Sequence, residues 1–112
     1  MTYDSILTAI ADPSRRAIFE DLAAGPKSVS ALAAERTISR PAVSQHLKVL
    51  EKAGLVAARP VGAARHYHLC PDGLAPLRAY LDRMWDDALT AFAAEVETQM
   101  ENPNARSGHQ DN

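Results

Sequence analysis

The chain has 112 residues, with 12 Lys and Arg against 14 Asp and Glu, a formal charge of −2. That length supports one domain with a comparatively small core, to which a partner chain is an expected addition. No apolar run approaches the roughly 18 residues that span a bilayer, and the lone Cys70 rules out an internal disulfide framework and suits a reducing cytoplasm.

The opening residues, MTYDSILTAIADPSRR, have no basic start leading into an apolar stretch, so no signal peptide is expected there. Residues 3–11 read as a short helix with Ile6, Leu7 and Ile10 on one side. Asp12-Pro13 reads as an N-cap followed by proline at the first helical position. The helix it starts runs to about Ala24, with Ile18, Phe19, Leu22 and Ala23 at helical spacing, and Gly25-Pro26 ends it. Ser28 can cap a third helix, VSALAAE, with Val29, Leu32 and Ala33 inward. A turn around RTIS follows. Ser39 then caps another helix, with Pro41 in its first turn and Gly54 placed for a left-handed end.

After Gly54 the period changes. LVAARPV, GA and ARHYHL read as a hairpin, and Pro60 makes it an edge ribbon. Asp72 is expected to cap a last helix carrying Leu74, Leu77, Leu81, Met84, Trp85, Ala88, Leu89, Phe92 and Val96 in a long apolar stripe. The polar residues 101–112 are expected to be a disordered tail. The fold class is therefore mostly α with a small β-hairpin. The order α-α-α-α-β-β-α is that of a winged helix-turn-helix. One domain is expected over residues 1–100, with the helix-turn-helix at 28–53 and the wing at 55–70.

Charge is unevenly spread. Between Lys27 and His66 there are seven basic and two acidic residues; from Asp72 onward there are three basic and eight acidic. A basic middle joined to an acidic last helix suits a nucleic-acid binder with a separate assembly element.

The helix after Ser39 explains how the basic middle is used. With Arg40 at zero and a step of about 100° per residue, Val43, Leu47 and Leu50 fall between about 280° and 340°. Ala42, Val49 and Ala53 widen the apolar arc at about 180–220°. Arg40, Pro41, Ser44, Gln45, Lys48, Glu51 and Lys52 share an arc of about 0–140°, while His46 falls near 240°, among the apolar residues. Arg pairs bidentately with guanine and Gln with adenine, and residues at the start of such a helix reach base edges. Ser39, Arg40, Ser44 and Gln45 are those residues. Lys48 and Lys52 suit phosphates, Ser30 of the preceding helix joins the DNA-binding set, and His46 is a boundary histidine near the backbone. Arg59 and Arg65 flank Gly62 at a ribbon tip suited to the backbone or minor groove.

The segments IADPSRRAIFEDL, SVSALAAERTISRPAVSQHLKVLEKAGLVAARPVGAARHYHL and GLAPLRAYLDRMWDDAL resemble the ArsR/SmtB family of small bacterial repressors over about residues 3–95. The resemblance implies a homodimer that binds an operator of inverted-repeat symmetry and blocks transcription. It also implies that the first and last helices, 3–11 and 72–98, form the dimer interface, with Ile6, Leu7, Ile10, Leu77, Leu81, Met84, Trp85, Leu89 and Phe92 as its contacts. The stripe on the last helix argues the same way, because it exceeds what a small domain covers alone, and a two-fold dimer presents two reading helices about one DNA turn apart.

The family's metal-sensing motifs are missing. VSALAAE has no cysteine, and the last helix has Asp82, Asp86, Asp87, Glu95 and Glu97 but no histidine. No metal or cofactor is expected. One alternative is a metal- or thiol-responsive repressor using His66, His68 and Cys70, which alternate along one strand face. Three collinear ligands about 6–7 Å apart fit a tetrahedral ion poorly. An alternative of another class is a protein-interaction module using the last helix. No glycine-rich phosphate loop or Ser-His-Asp ordering supports an enzyme.

Overall fold

The computed structural model describes residues 2–101. In chain order it has α1 (Tyr3–Ala11), α2 (Pro13–Leu22), β1 (Lys27–Ser28), α3 (Val29–Arg36), α4 (Arg40–Lys52), β2 (Val56–Val61), β3 (Ala64–Leu69), a 3₁₀ turn (Pro71–Leu74) and α5 (Ala75–Glu101). Three helix starts follow directly from capping residues. The side chains of Asp12, Ser28 and Ser39 accept the backbone N–H of Arg15, Ala31 and Ala42, satisfying donors that the first helical turn leaves open.

Two features depart from the expected element order. The sheet has three strands, not two, in the order β1-β3-β2. β1 pairs antiparallel with β3 through Lys27 with Tyr67 and Ser28 with His66. The central strand is therefore β3, and Pro60 lies on the edge strand β2, where its missing donor costs no ladder bond. Gly62, at φ 62°, supplies the positive φ at the first position of the two-residue hairpin turn. The second departure is at Asp72, which belongs to the 3₁₀ turn and does not cap the last helix; α5 begins at Ala75. This turn is tightly seated. A Cβ on Gly73 would lie 1.9 Å from the Gly54 carbonyl oxygen, and the Cys70 N–H donates to Leu55 O at 2.8 Å. Gly54 itself has φ 79°, the left-handed end of α4.

Where the sequence implies one domain over 1–100, the residues gather into two compact units, one ending at Arg78 and the next beginning at Ala79. The core of the first comprises Ile6, Ala9, Ile18, Leu22, Leu32, Ala33, Val43, Leu47, Leu50, Ala53, Leu55 and Val56. Ile10, Phe19, Val29, Ile38, Tyr67, Leu69, Leu74 and Leu77 pack against it while only partly buried. The described part of the second unit is the remainder of α5, with no buried residue. The expected tail lies outside the described residues except for Glu101, which is helical. Among the described residues no helix is long and apolar enough to cross a membrane.

Candidate nucleic-acid interface

The helix-turn-helix is α3, a turn at Thr37–Ser39, and α4. Beyond the shared core of Leu32, Val43, Leu47 and Leu50, it is tied to the rest of the unit by ion pairs the sequence does not reveal. Arg36, in the last turn of α3, binds both carboxylate oxygens of Asp21 on α2, through Nε at 2.8 Å and through Nη2. This guanidinium holds the Asp21 carboxyl below its ordinary pKa and raises that of Arg36 in return. Lys27 pairs with Glu35 at 2.9 Å. Two of the seven basic residues of the middle segment are thus paired with carboxylates of the same chain. The remaining five, Arg40, Lys48, Lys52, Arg59 and Arg65, carry the exposed charge.

An open cleft of about 520 Å³ runs between α3, α4 and the wing, lined by Ser28, Val29, Ser30, Ser44, Lys48, Ala64, Arg65 and Tyr67. Four residues singled out in the sequence therefore come together: Ser30, Ser44, Lys48 and Arg65. Four hydroxyls (Ser28, Ser30, Ser44 and Tyr67), an ammonium and a guanidinium around one cleft include donors suited to phosphate oxygens. Ser39, Arg40 and Gln45 are exposed at the start of α4, beside this cleft in sequence but not among its lining residues. Ser28 and Tyr67 are lining residues that the sequence reading passed over. From sequence Ser28 reads only as a helix cap.

Other sites sort differently. Arg59 and Arg65 do not act as one tip. Arg59 stands opposite His66 and Arg65 opposite Pro60. By strand alternation Arg65 shares a face with Tyr67, and Arg59 shares the other with His66. Lys52 lines a separate cleft of about 400 Å³ with Asp4, Ser5 and Thr8 of α1. It is one turn beyond Lys48, and the helix carries it round toward α1. His46 is half-buried, and its charge is only a minor contributor to the lowered pKa of the Asp12 carboxyl. The larger cause is the Arg15 N–H bond at the α2 cap; partial desolvation opposes it and the Arg15 charge assists.

The assembly residues also need correction. Ile6 is fully buried in the unit's own core, so it has no surface left for a partner. Ile10 and Leu77 are partly used up in the same way. Leu7, Leu81, Met84, Trp85, Leu89 and Phe92 are exposed, Trp85 and Phe92 each at 67%. His66, His68 and Cys70 are half-buried, and the His68 Nδ1 is enclosed without a hydrogen-bond partner. Among the described residues no group of three or more His, Cys, Asp or Glu is placed to hold a metal ion.

Residues 10–59 match a helix-turn-helix domain family. Over 96 residues the chain is 53% identical to the HTH-type transcriptional regulator Rv2034 of Mycobacterium tuberculosis, covering 86% of this chain and 90% of that protein. This chain belongs to the ArsR family of winged helix-turn-helix transcriptional regulators. Like other members, this ArsR-family protein is a DNA-binding regulator and not an enzyme. A solved possible transcriptional regulator for arsenical resistance is 46% identical, with TM-score 0.65 over 80% of this chain and 93% of that one. A homodimeric winged helix-turn-helix DNA-binding domain, a possible ArsR-family regulator of Mycobacterium bovis, is 28% identical, with TM-score 0.61 over 76% and 79%. The transcriptional repressor SdpR of Bacillus subtilis is 32% identical over 66 residues, 59% of this chain and 73% of that protein.

Proposed function

We propose that this ArsR-family regulator is a homodimeric repressor of an inverted-repeat operator, working without a metal site of its own. The observation that carries the reading is the cleft that gathers Ser30, Ser44, Lys48 and Arg65 beside the exposed start of α4. In this reading the cleft holds a backbone phosphate between the reading helix and the wing. Arg40 and Gln45 read base edges, Ser39 sits at the groove rim, and His46 lies half-buried behind them. Arg59 and Lys52 reach more distant phosphates. Leu7 and the exposed stripe of α5 join two copies. A homodimeric relative and a relative named as a repressor support the assembly and the sign of regulation.

Footprinting on the promoter upstream of the protein's own gene tests this. A protected inverted repeat with strongly salt-dependent affinity is expected. Arg40→Ala and Gln45→Ala should each cost about 1–3 kcal/mol at their own base positions and relax preference there. Lys48→Ala should weaken binding to all sequences alike and lower the salt slope by about 1. Unchanged operator affinity in the Arg40/Gln45 double variant at fixed salt would remove α4 as the reading helix.

A further inference from the structure

The corner between α1 and α2 contains an arrangement that DNA contact does not use. Asp12 is at once the C-cap residue of α1 and the N-cap of α2. α1 therefore ends with no residue to spare, and its last carbonyls have no helical partner. Two arginines from α2 fill that gap. Arg15 donates through Nε to Ala9 O and through Nη2 to Thr8 O at 3.1 Å. Arg16 donates through Nη1 to Ile10 O at 2.9 Å and to Ala11 O at 3.5 Å. The last four carbonyls of α1, Thr8 to Ala11, thus all meet a guanidinium, which also opposes the negative end of the helix dipole. On the third side is α4. There Ala9 of α1 is buried in one core with Val43, Leu47 and Leu50.

We infer that Arg15 and Arg16 are positioning residues: they clamp α1 to the body that carries α4, and so set the distance and phase between the two reading helices of the dimer. The inference rests on the homodimeric reading above, in which α1 presents Leu7 to the second copy. α1 shares Asp12 with α2 and is seated in the core through Ile6 and Ala9, but apolar packing is non-directional and leaves rotation of the helix about that contact as the soft motion. Four carbonyl bonds from two side chains add a directional restraint on that rotation. In a two-fold dimer any rotation of α1 against α4 is applied in both copies. Each base pair added between half-sites moves the second by about 3.4 Å and turns it by about 34°, so a rigid dimer accepts a narrow range of spacings.

The test uses the full chain as wild type, Arg15→Gln, Arg16→Gln and the double variant, against operators whose half-sites are moved apart or together by one or two base pairs. Dimer content is followed by sedimentation and folding by circular dichroism. Wild type should have one sharp optimum, losing about tenfold in affinity per base pair away from it. The double variant should stay dimeric and bind across the series within about threefold, its best site weakened by about tenfold. If it does not fold, Arg16→Gln alone, which keeps both Arg15 bonds, is scored in the same way and should give a partial flattening. Equal loss at every spacing, or an unchanged profile, overturns the inference by reducing the arginines to stability or to nothing. Failure of wild type to bind any operator would overturn the DNA reading itself, and the clamp with it.

Discussion

Thr37 stands where a glycine would be easier. It ends α3 at φ 53° and ψ 40°, the left-handed region, and its N–H donates to Ala33 O. A side chain with a β-branch pays about 1–2 kcal/mol to hold that backbone. Thr37→Gly removes the cost and gives back part of it as unfolded-chain entropy, so a net gain of about 0.5–1 kcal/mol is expected, read as a higher denaturant midpoint at unchanged m-value. The sequence signals the turn through RTIS but not which residue takes the strained position, since Gly would mark it and Thr does not. The caps at Asp12, Ser28 and Ser39 were legible for the opposite reason: the residue type and the bond it makes are both local. Ile6 was misread because a helix face names the buried side without naming what buries it. The apolar side of α1 faces the unit's own core at Ile6 and Ala9 and leaves Leu7 outside.

Between elements, the core seats the reading head, and a long-range pair hidden in a charge count adds to it. Asp21 and Arg36 are 15 residues apart, and their two-bond ion pair joins α2 to the end of α3. Because Arg36 holds the folded-state pKa of Asp21 below its unfolded value, the pair contributes stability above the unfolded value and loses it as pH falls through the lower folded one. Asp21→Asn should therefore be less stable than wild type at neutral pH, with the gap closing in acid, where the wild-type carboxyl is protonated too. Urea titrations at a series of pH values check this; a gap independent of pH would mean the pair contributes through shape and not charge. β1 escaped the sequence reading on the same grounds. Two residues, Lys27 and Ser28, carry no strand period of their own, and only the pairing with β3 makes them a strand. The wing was legible as a hairpin from Pro60 and Gly62, but not the divergence of Arg59 from Arg65. That depends on register, and a one-residue slip exchanges the faces.

For the whole molecule the deciding feature is an apolar surface with no cover among the described residues. Leu81 and Met84 are each 53% exposed and Leu89 49%, and they share the stripe with Trp85 and Phe92. Single exposed apolar residues are ordinary; a row of large ones at helical spacing marks an interface. None of them belongs to the core of the unit that carries α3 and α4. Charges placed in the stripe should therefore break assembly and leave the reading head folded. Leu81→Glu with Trp85→Glu is expected to sediment as a monomer at concentrations where wild type is a dimer, with the helical signal of residues 2–78 retained. Operator affinity should then fall by about 100-fold or more, because the second half-site is no longer bound at the high effective concentration that linkage provides. Binding to a single half-site should change little. That contrast separates the repressor from a protein-interaction module built on the same helix. The module predicts a wild type whose stripe recruits a different chain, and whose affinity for DNA is neither salt-dependent nor reduced by the two charges.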